Sequence, residues 1–221
     1  MLVTFSALVL GLLTTSAKTH FDNVRDRFQT YSIDLITLDQ RMREYGPGAD
    51  SVRALLRAYT AAAIADTWPT EPPPTGIYPS HIGRITPNSI ESVNLGNMLL
   101  ALDRQVGSLT PSTPLQQTLS SALIMRMATT LQDRWVLIGS VQATLAWPFL
   151  SIVSGWLVLV FAMFGLSVQG NRVVYAVASL AALSLSVAVW LIVELDNPLT
   201  GFIAISSTSL REALLHMDVV F

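Results

Sequence analysis

The sequence contains no cysteine. Disulfides, thiolate metal sites and a cysteine nucleophile are thereby excluded, although that absence does not identify the compartment. Charge is scarce as well: 13% of the 221 residues are Asp, Glu, Lys or Arg, against roughly 25% in a soluble domain. The scarcity is local. Residues 1–17 carry no charged side chain and residues 135–193 carry only Arg172, so these 76 positions hold one charge and the other 145 hold 27. Such partitioning describes a membrane protein with a polar domain. The 13 basic and 15 acidic side chains form no basic stripe, so no nucleic-acid partner is expected. The histidines His20, His81 and His216 are scattered without metal-ligand spacing, and no phosphate loop, dinucleotide fingerprint or nucleophile elbow is present. No motif supports an enzyme, a cofactor or a metal.

What the chain has instead is long apolar runs. Phe149 to Val168 is charge-free over twenty residues, about 30 Å as a helix, which matches the hydrocarbon core. With its entry residues this run defines a span over 147–168. The polar turn Gln169-Gly170-Asn171-Arg172 follows, and a second run covers 173–193. So short a connection makes the two helices antiparallel neighbours. Both are apolar on every face, which a soluble core of this size cannot cover. Residues 1–17 form a shorter apolar segment, read as a first span or as a secretory signal peptide. No basic residue precedes it, whereas Lys18, Arg25 and Arg27 follow it. That asymmetry favours an anchor with the amino terminus outside and Lys18 in the cytoplasm. Eleven of the thirteen basic side chains fall in residues 18–146, which places that domain and the tail 194–221 inside the plasma (inner) membrane.

The cytoplasmic part reads as helical. Phe21, Val24, Phe28, Tyr31, Leu35, Leu38, Met42 and Tyr45 are spaced 3, 4, 3, 4, 3, 4, 3, a heptad seam that packs either within the chain or against another subunit. Carried backwards through Ala17, Thr14, Leu10, Ala7 and Val3, the register makes one helix from the membrane to Tyr45. It breaks at Gly46-Pro47-Gly48. A second helix is expected from a cap at Asp50 or Ser51, with Val52, Leu55, Leu56, Tyr59 and Ala63 on its face, ending before Pro69. Residues 69–87 hold six of the eleven prolines and form an extended loop, a linker or a docking segment. Asn88 and Glu91 make a capping box for a third helix faced by Leu95, Leu99, Leu102, Val106 and Leu109. Thr113-Pro114 opens a fourth that continues to Trp147 and feeds the next span through Pro148.

Two features invite a functional reading. Along the third span Ala176, Ser179, Leu183, Ser186 and Trp190 share one stripe, with Glu194 continuing it at the cytoplasmic end. Small and hydroxylated side chains suit a tight helix contact; the sharper alternative is a narrow pore with an acidic, cation-favouring mouth. The turn Glu194-Leu195-Asp196-Asn197-Pro198-Leu199-Thr200-Gly201 then adds a second carboxylate, Asp196, before an amphipathic helix capped by Ser209 and Glu212 and faced by Leu210, Leu214 and Met217. No ionisable residue lies midway along the predicted spans. That argues against a coupled transporter and leaves a passive channel open.

The first span running into Lys18–Asp22, the Ser51–Tyr59 helix, the long helix carrying Arg126 and Arg134 ahead of a hydrophobic hairpin, and the turn of Leu195, Asp196, Pro198 and Gly201 together resemble a bacterial bestrophin-like family of unknown function. The resemblance covers nearly the whole chain. Bestrophins proper are oligomeric ion channels with a cytoplasmic helical domain, so it implies a homo-oligomer around a central axis, with inorganic ions and membrane lipid as partners. Three predicted spans, where bestrophins have four, mark a departure. The expectation is an all-α, bestrophin-like, three-span protein with a cytoplasmic bundle, acting as a passive ion channel. Glu194 and Asp196 would form the mouth, Ser179, Ser186 and Trp190 the candidate lining, and Pro198 and Gly201 the structural turn. The alternative is a membrane-tethered scaffold or sensor that works through the seam helix and the proline loop.

Overall fold

The computed structural model describes residues 2–78, 93–142, 147–167 and 172–218, and every regular element among them is helical. In chain order these are α1 (Leu2–Tyr45), a 3-10 turn (Pro47–Ala49), α2 (Asp50–Thr67), α3 (Val93–Gly107), α4 (Pro114–Gln142), α5 (Trp147–Ser167), α6 (Arg172–Leu195) and α7 (Thr208–Asp218). They divide into two compact units, Met1–Asn23 with Val141–Ala204 and Val24–Ser140 with Ile205–Phe221. Helix α1 contributes to both. The heptad register carried back from Tyr45 is realised as a single helix of 44 residues.

The polar unit is organised by that register. Val24, Phe28, Tyr31, Leu35, Leu38, Met42 and Tyr45 are all buried by the chain's own side chains, while Phe21 is half-buried in the other unit. The apolar faces of α2 (Val52, Leu56, Tyr59, Ala63) and α3 (Leu95, Leu99, Leu102, Val106) are also buried; α2 meets the seam through Tyr59 and Tyr31, and α3 packs on α2. Leu55 and Leu109 are only half-buried. The Phe28 and Trp68 rings meet with centroids 5.0 Å apart. Gly46 ends α1 at a φ of 96°, a left-handed conformation that side chains bearing a Cβ resist.

The entry to α2 differs from the expected Asp50 or Ser51 cap. The helix starts at Asp50 with Ala49 in the cap position and no side-chain cap bond. The Pro47–Ala49 turn winds directly into it, so the Asp50 N–H is already taken by the Pro47 carbonyl. The expected Asn88–Glu91 box, His81 and loop residues 79–87 lie outside the described residues. So do 143–146, where the fourth helix was expected to run on to Trp147.

The start of the proline loop is not a free tether: Pro74 is buried and Glu71 is anchored to α7. The α7 start is likewise corrected, since Ser207 and not Ser209 stands before the helix, its carbonyl accepting the Arg211 N–H at 2.9 Å. Its hydroxyl does not cap the helix but donates to Glu71 Oε2. Glu71 Oε1 accepts the Ser207 N–H at 3.1 Å and Oε2 accepts Arg211 Nε at 3.3 Å. Trp68 Nε1 donates to the Ile205 carbonyl at 2.6 Å. At the other end of α7, Arg43 Nη2 donates to the His216 and Met217 carbonyls at 2.7 and 3.0 Å, and Arg57 Nη2 also donates to Met217 O. Buried Leu210, Ala213, Leu214 and Met217 supply the apolar side.

Burial works to raise the Glu71 carboxyl, but the Ser207 donors and Arg211 outweigh it and hold it below the usual range. Its contribution is therefore present above the unfolded pKa and fades as pH falls through the lowered folded value. Glu71→Gln is expected to destabilise the polar unit by roughly 1–2 kcal/mol at pH 7. The difference from wild type in thermal unfolding should shrink below about pH 4.

Candidate functional site

In the other unit, Leu10 and Ala17 of α1, Val153 of α5, and Ile192 and Leu195 of α6 form a small core, with Leu13, Phe21, Leu157, Leu185 and Val189 packed partly against it. Beyond it the apolar surface stays uncovered. Helix α6 has a mean hydropathy of 2.3 over its best 18-residue window, yet only 6% of that window is buried. It is the one helix, among the described residues, long and apolar enough to cross a membrane; Pro148–Met163 forms a shorter apolar stretch. A core helix of a soluble protein would show the opposite, high hydropathy with high burial.

On α6, Ser179 and Ser186 are both exposed, and Ser186 Oγ donates back to the Ala182 carbonyl at 2.9 Å. That local bond satisfies the hydroxyl donor in an apolar setting and leaves its lone pairs outward. Ser186 and Trp190 border a cleft with Ser154, Leu157, Phe161 and Val189, about 520 Å³ in volume. Trp190 is half-exposed and meets Phe202 with ring centroids 6.2 Å apart.

The turn after α6 is built around Glu194. Its Oε1 accepts the N–H groups of Phe202 and, at 3.2 Å, Ile203. The carboxylate thus closes the loop from within. Asn197 Nδ2 donates to the Val193 carbonyl at 3.0 Å, the Asp196 N–H to Ile192 O at 3.1 Å and the Thr200 N–H to Asn197 O at 3.2 Å. Pro198 is buried at the bend. Gly201 has a φ of 108°, and a Cβ there would stand 2.8 Å from Glu194 Cδ, inside contact distance. The backbone angle calls for glycine, and an added Cβ would also oblige the Glu194 carboxylate to shift. Gly201→Ala should cost roughly 1–3 kcal/mol. In a double-mutant cycle read by thermal unfolding, the cost should fall when Glu194 is also replaced by Ala, because the clash disappears while the backbone strain remains.

The polar unit holds a second arrangement that sequence patterns did not single out. Asp34, on α1, is 5% exposed. Its Oδ1 accepts Arg126 Nη1 from α4 at 3.2 Å, while Oδ2 is buried without a donor. Burial first, then the influence of Asp133, push Asp34 up to about 6 against the pull of Arg126. One turn earlier on α1, the Tyr31 hydroxyl meets the Tyr59 hydroxyl at 2.6 Å. Buried Arg134 lowers both phenols, but burial dominates and raises them. A signal did exist in the sequence: Asp34 sits one residue before the seam position Leu35, and Asp133 follows Arg126 by seven, on the α4 face of buried Thr130 and Leu137. Asp39, also buried, is paired with Arg43 at 2.8 Å and Arg53 at 2.9 Å.

The fold matches a crystal structure of a bacterial bestrophin homologue from Klebsiella pneumoniae carrying a single substitution, with a TM-score of 0.70 at 16% identity, covering 98% of this chain and 85% of that one. A second structure of the Klebsiella pneumoniae homologue gives a TM-score of 0.69 at 16% identity, over 98% and 84% of the two chains. A comparison with curated proteins returned no match. The family model described as the Bestrophin-like domain matches residues 1–210, and the chain belongs to that family.

Proposed function

We propose that this protein is a multi-pass membrane protein that assembles with copies of itself into a passive ion channel. One observation carries the reading: α6 is strongly apolar yet only 6% buried over its best window, in a chain of bestrophin-like fold. Such a surface requires lipid or neighbouring subunits. The three spans are assigned to residues 1–17, 147–168 and 173–193. Residues 18–146 form the cytoplasmic domain, the tail 194–221 is also cytoplasmic, and the amino terminus is outside. Ser179 and Ser186, exposed on the stripe that leads to Trp190, are the candidate lining. Hydroxyl lone pairs facing a pore replace part of an ion's hydration shell.

Glu194 and Asp196 are assigned to the inner mouth. The two backbone N–H groups on Glu194 Oε1 anchor the first carboxylate in place and offset part of its charge. A net negative mouth raises the local concentration of cations over anions.

Purified protein in liposomes should conduct, and Asp196→Asn should shift selectivity toward anions while leaving assembly by native mass spectrometry unchanged. Glu194→Gln should alter selectivity and also loosen the turn. A well-folded oligomer that passes no ions would remove the channel reading. The absence of cysteine makes topology directly testable with single introduced thiols. In intact cells Asn171→Cys should react with an impermeant reagent and Gln132→Cys should be protected.

A further inference from the structure

We propose that the loop after α6 is a membrane-interface anchor, which seats Phe202 and Ile203 at the boundary between lipid headgroups and acyl chains and thereby fixes the depth of the Glu194 turn. The inference rests on the membrane-spanning reading of α6 given above. Between Asp196 and Arg211 the chain carries no charged side chain. Within that stretch Phe202 is 91% exposed, and Ile203 beside it is exposed as well. A mobile loop would turn such a ring away from water. This loop is pinned with the ring outward. Glu194 Oε1 accepts the N–H groups of both Phe202 and Ile203, the Thr200 N–H is bonded to Asn197 O at 3.2 Å, and Gly201 takes the left-handed bend between them. The same bonds suit the loop to lipid, because an N–H that is already satisfied loses little on leaving water.

A ring contact sets the depth. Phe202 and Trp190 stand with centroids 6.2 Å apart and planes tilted by 59°, a favourable arrangement for two aromatic rings. Both belong to one compact unit. Trp190 precedes Val193, the last residue of the assigned span, by three positions, about 4.5 Å along the helix axis. Phe202 is therefore level with the last turn of that span, the zone where aromatic residues and amphipathic segments settle in a bilayer.

Continuity selects lipid as the occupant. A hydrophobic side chain exposed singly needs no partner. Phe202 is not isolated: it adjoins Trp190, itself half-exposed, and through it the bare flank of α6, whose best apolar window is only 6% buried. The two rings prolong a lipid-facing surface past the end of the helix, and the carboxylate that holds the loop is carried with them. A bilayer that grips Phe202 also holds Glu194 at its edge.

The chain has no cysteine, so single introduced thiols report on single sites. A fluorophore is placed on Ile203→Cys, with Phe202 intact, in the full-length protein reconstituted into phosphatidylcholine vesicles. Val158→Cys on α5 and Leu180→Cys on α6, both at exposed positions, serve as references. The quenchers are lipids with a nitroxide high on the acyl chain or near its end, and iodide in the water. The label at residue 203 should be quenched roughly twofold more by the shallow nitroxide than by the deep one. Adding Phe202→Leu should preserve that ratio, whereas Phe202→Asp should exchange lipid quenching for iodide quenching. Quenching of the 203 label by iodide alone, while a reference label responds to lipid, overturns the anchor and leaves the spans standing. Protection of the 203 label from all three quenchers overturns it too, and assigns the loop to contact with another copy of the chain. If neither reference label responds to either lipid, the spanning reading falls and the anchor with it.

Discussion

The polar half of the molecule depends on the 3–4 spacing of large side chains along α1. A residue every half-heptad keeps one stripe of a helix facing the same partner, and from Val24 to Tyr45 that stripe is fully buried. The buried polar groups of α1 itself take their positions from it. Tyr31 is itself a seam residue, and Asp34 and Asp39 stand next to seam positions Leu35 and Leu38. Their ionisable groups are carried into the interior by the packing of their neighbours. A polar group moved inside in this way must find a partner there or change its protonation. Both outcomes occur: Asp39 gains two arginines, and Asp34 is driven toward its neutral form.

The two units show opposite responses to apolar surface. In the polar unit the apolar faces of α2, α3 and α7 are buried by one another and by the rest of the unit. Helix α6 is apolar without a preferred face, so no single contact can cover it. Covering requires a solvent that is itself apolar, or further copies of the chain. The family assignment and the bare surface of α6 point in the same direction from independent observations.

Much of the helical pattern was legible from periodicity. Breaks at Gly46 and Pro69, the faces of α2 and α3, and the opening of α4 at Pro114 all follow from spacing and from residues with restricted backbone. Caps were less legible. Asp50, Ser51, Ser209 and Glu212 fit a local rule, yet backbone from Pro47 serves α2, and Ser207 precedes α7 with its hydroxyl turned to Glu71. At α7 a contact far along the chain overrode the local preference; at α2 the preceding backbone turn did. The turn motif was recognised, but not the role of Glu194 inside it, because a bond from residue 194 to residues 202 and 203 leaves no periodic trace. The Asp34 cluster was missed although Asp34 stands beside a seam position, because its contact with Arg126 spans 92 residues of sequence and each charge alone resembles a solvated helix charge.

Helix α7 is gripped at both extremities by side chains from distant segments, Glu71 at the start and Arg43 with Arg57 at the finish. Short helices ordinarily fray from their termini, since the last carbonyls and first amides have only water to lose. Here each terminus is occupied, and the guanidinium groups also oppose the negative pole of the helix. Unwinding one residue at a time is therefore blocked. The closing helix must detach as a unit or stay, which gives a segment of eleven residues the all-or-none behaviour of a much longer one.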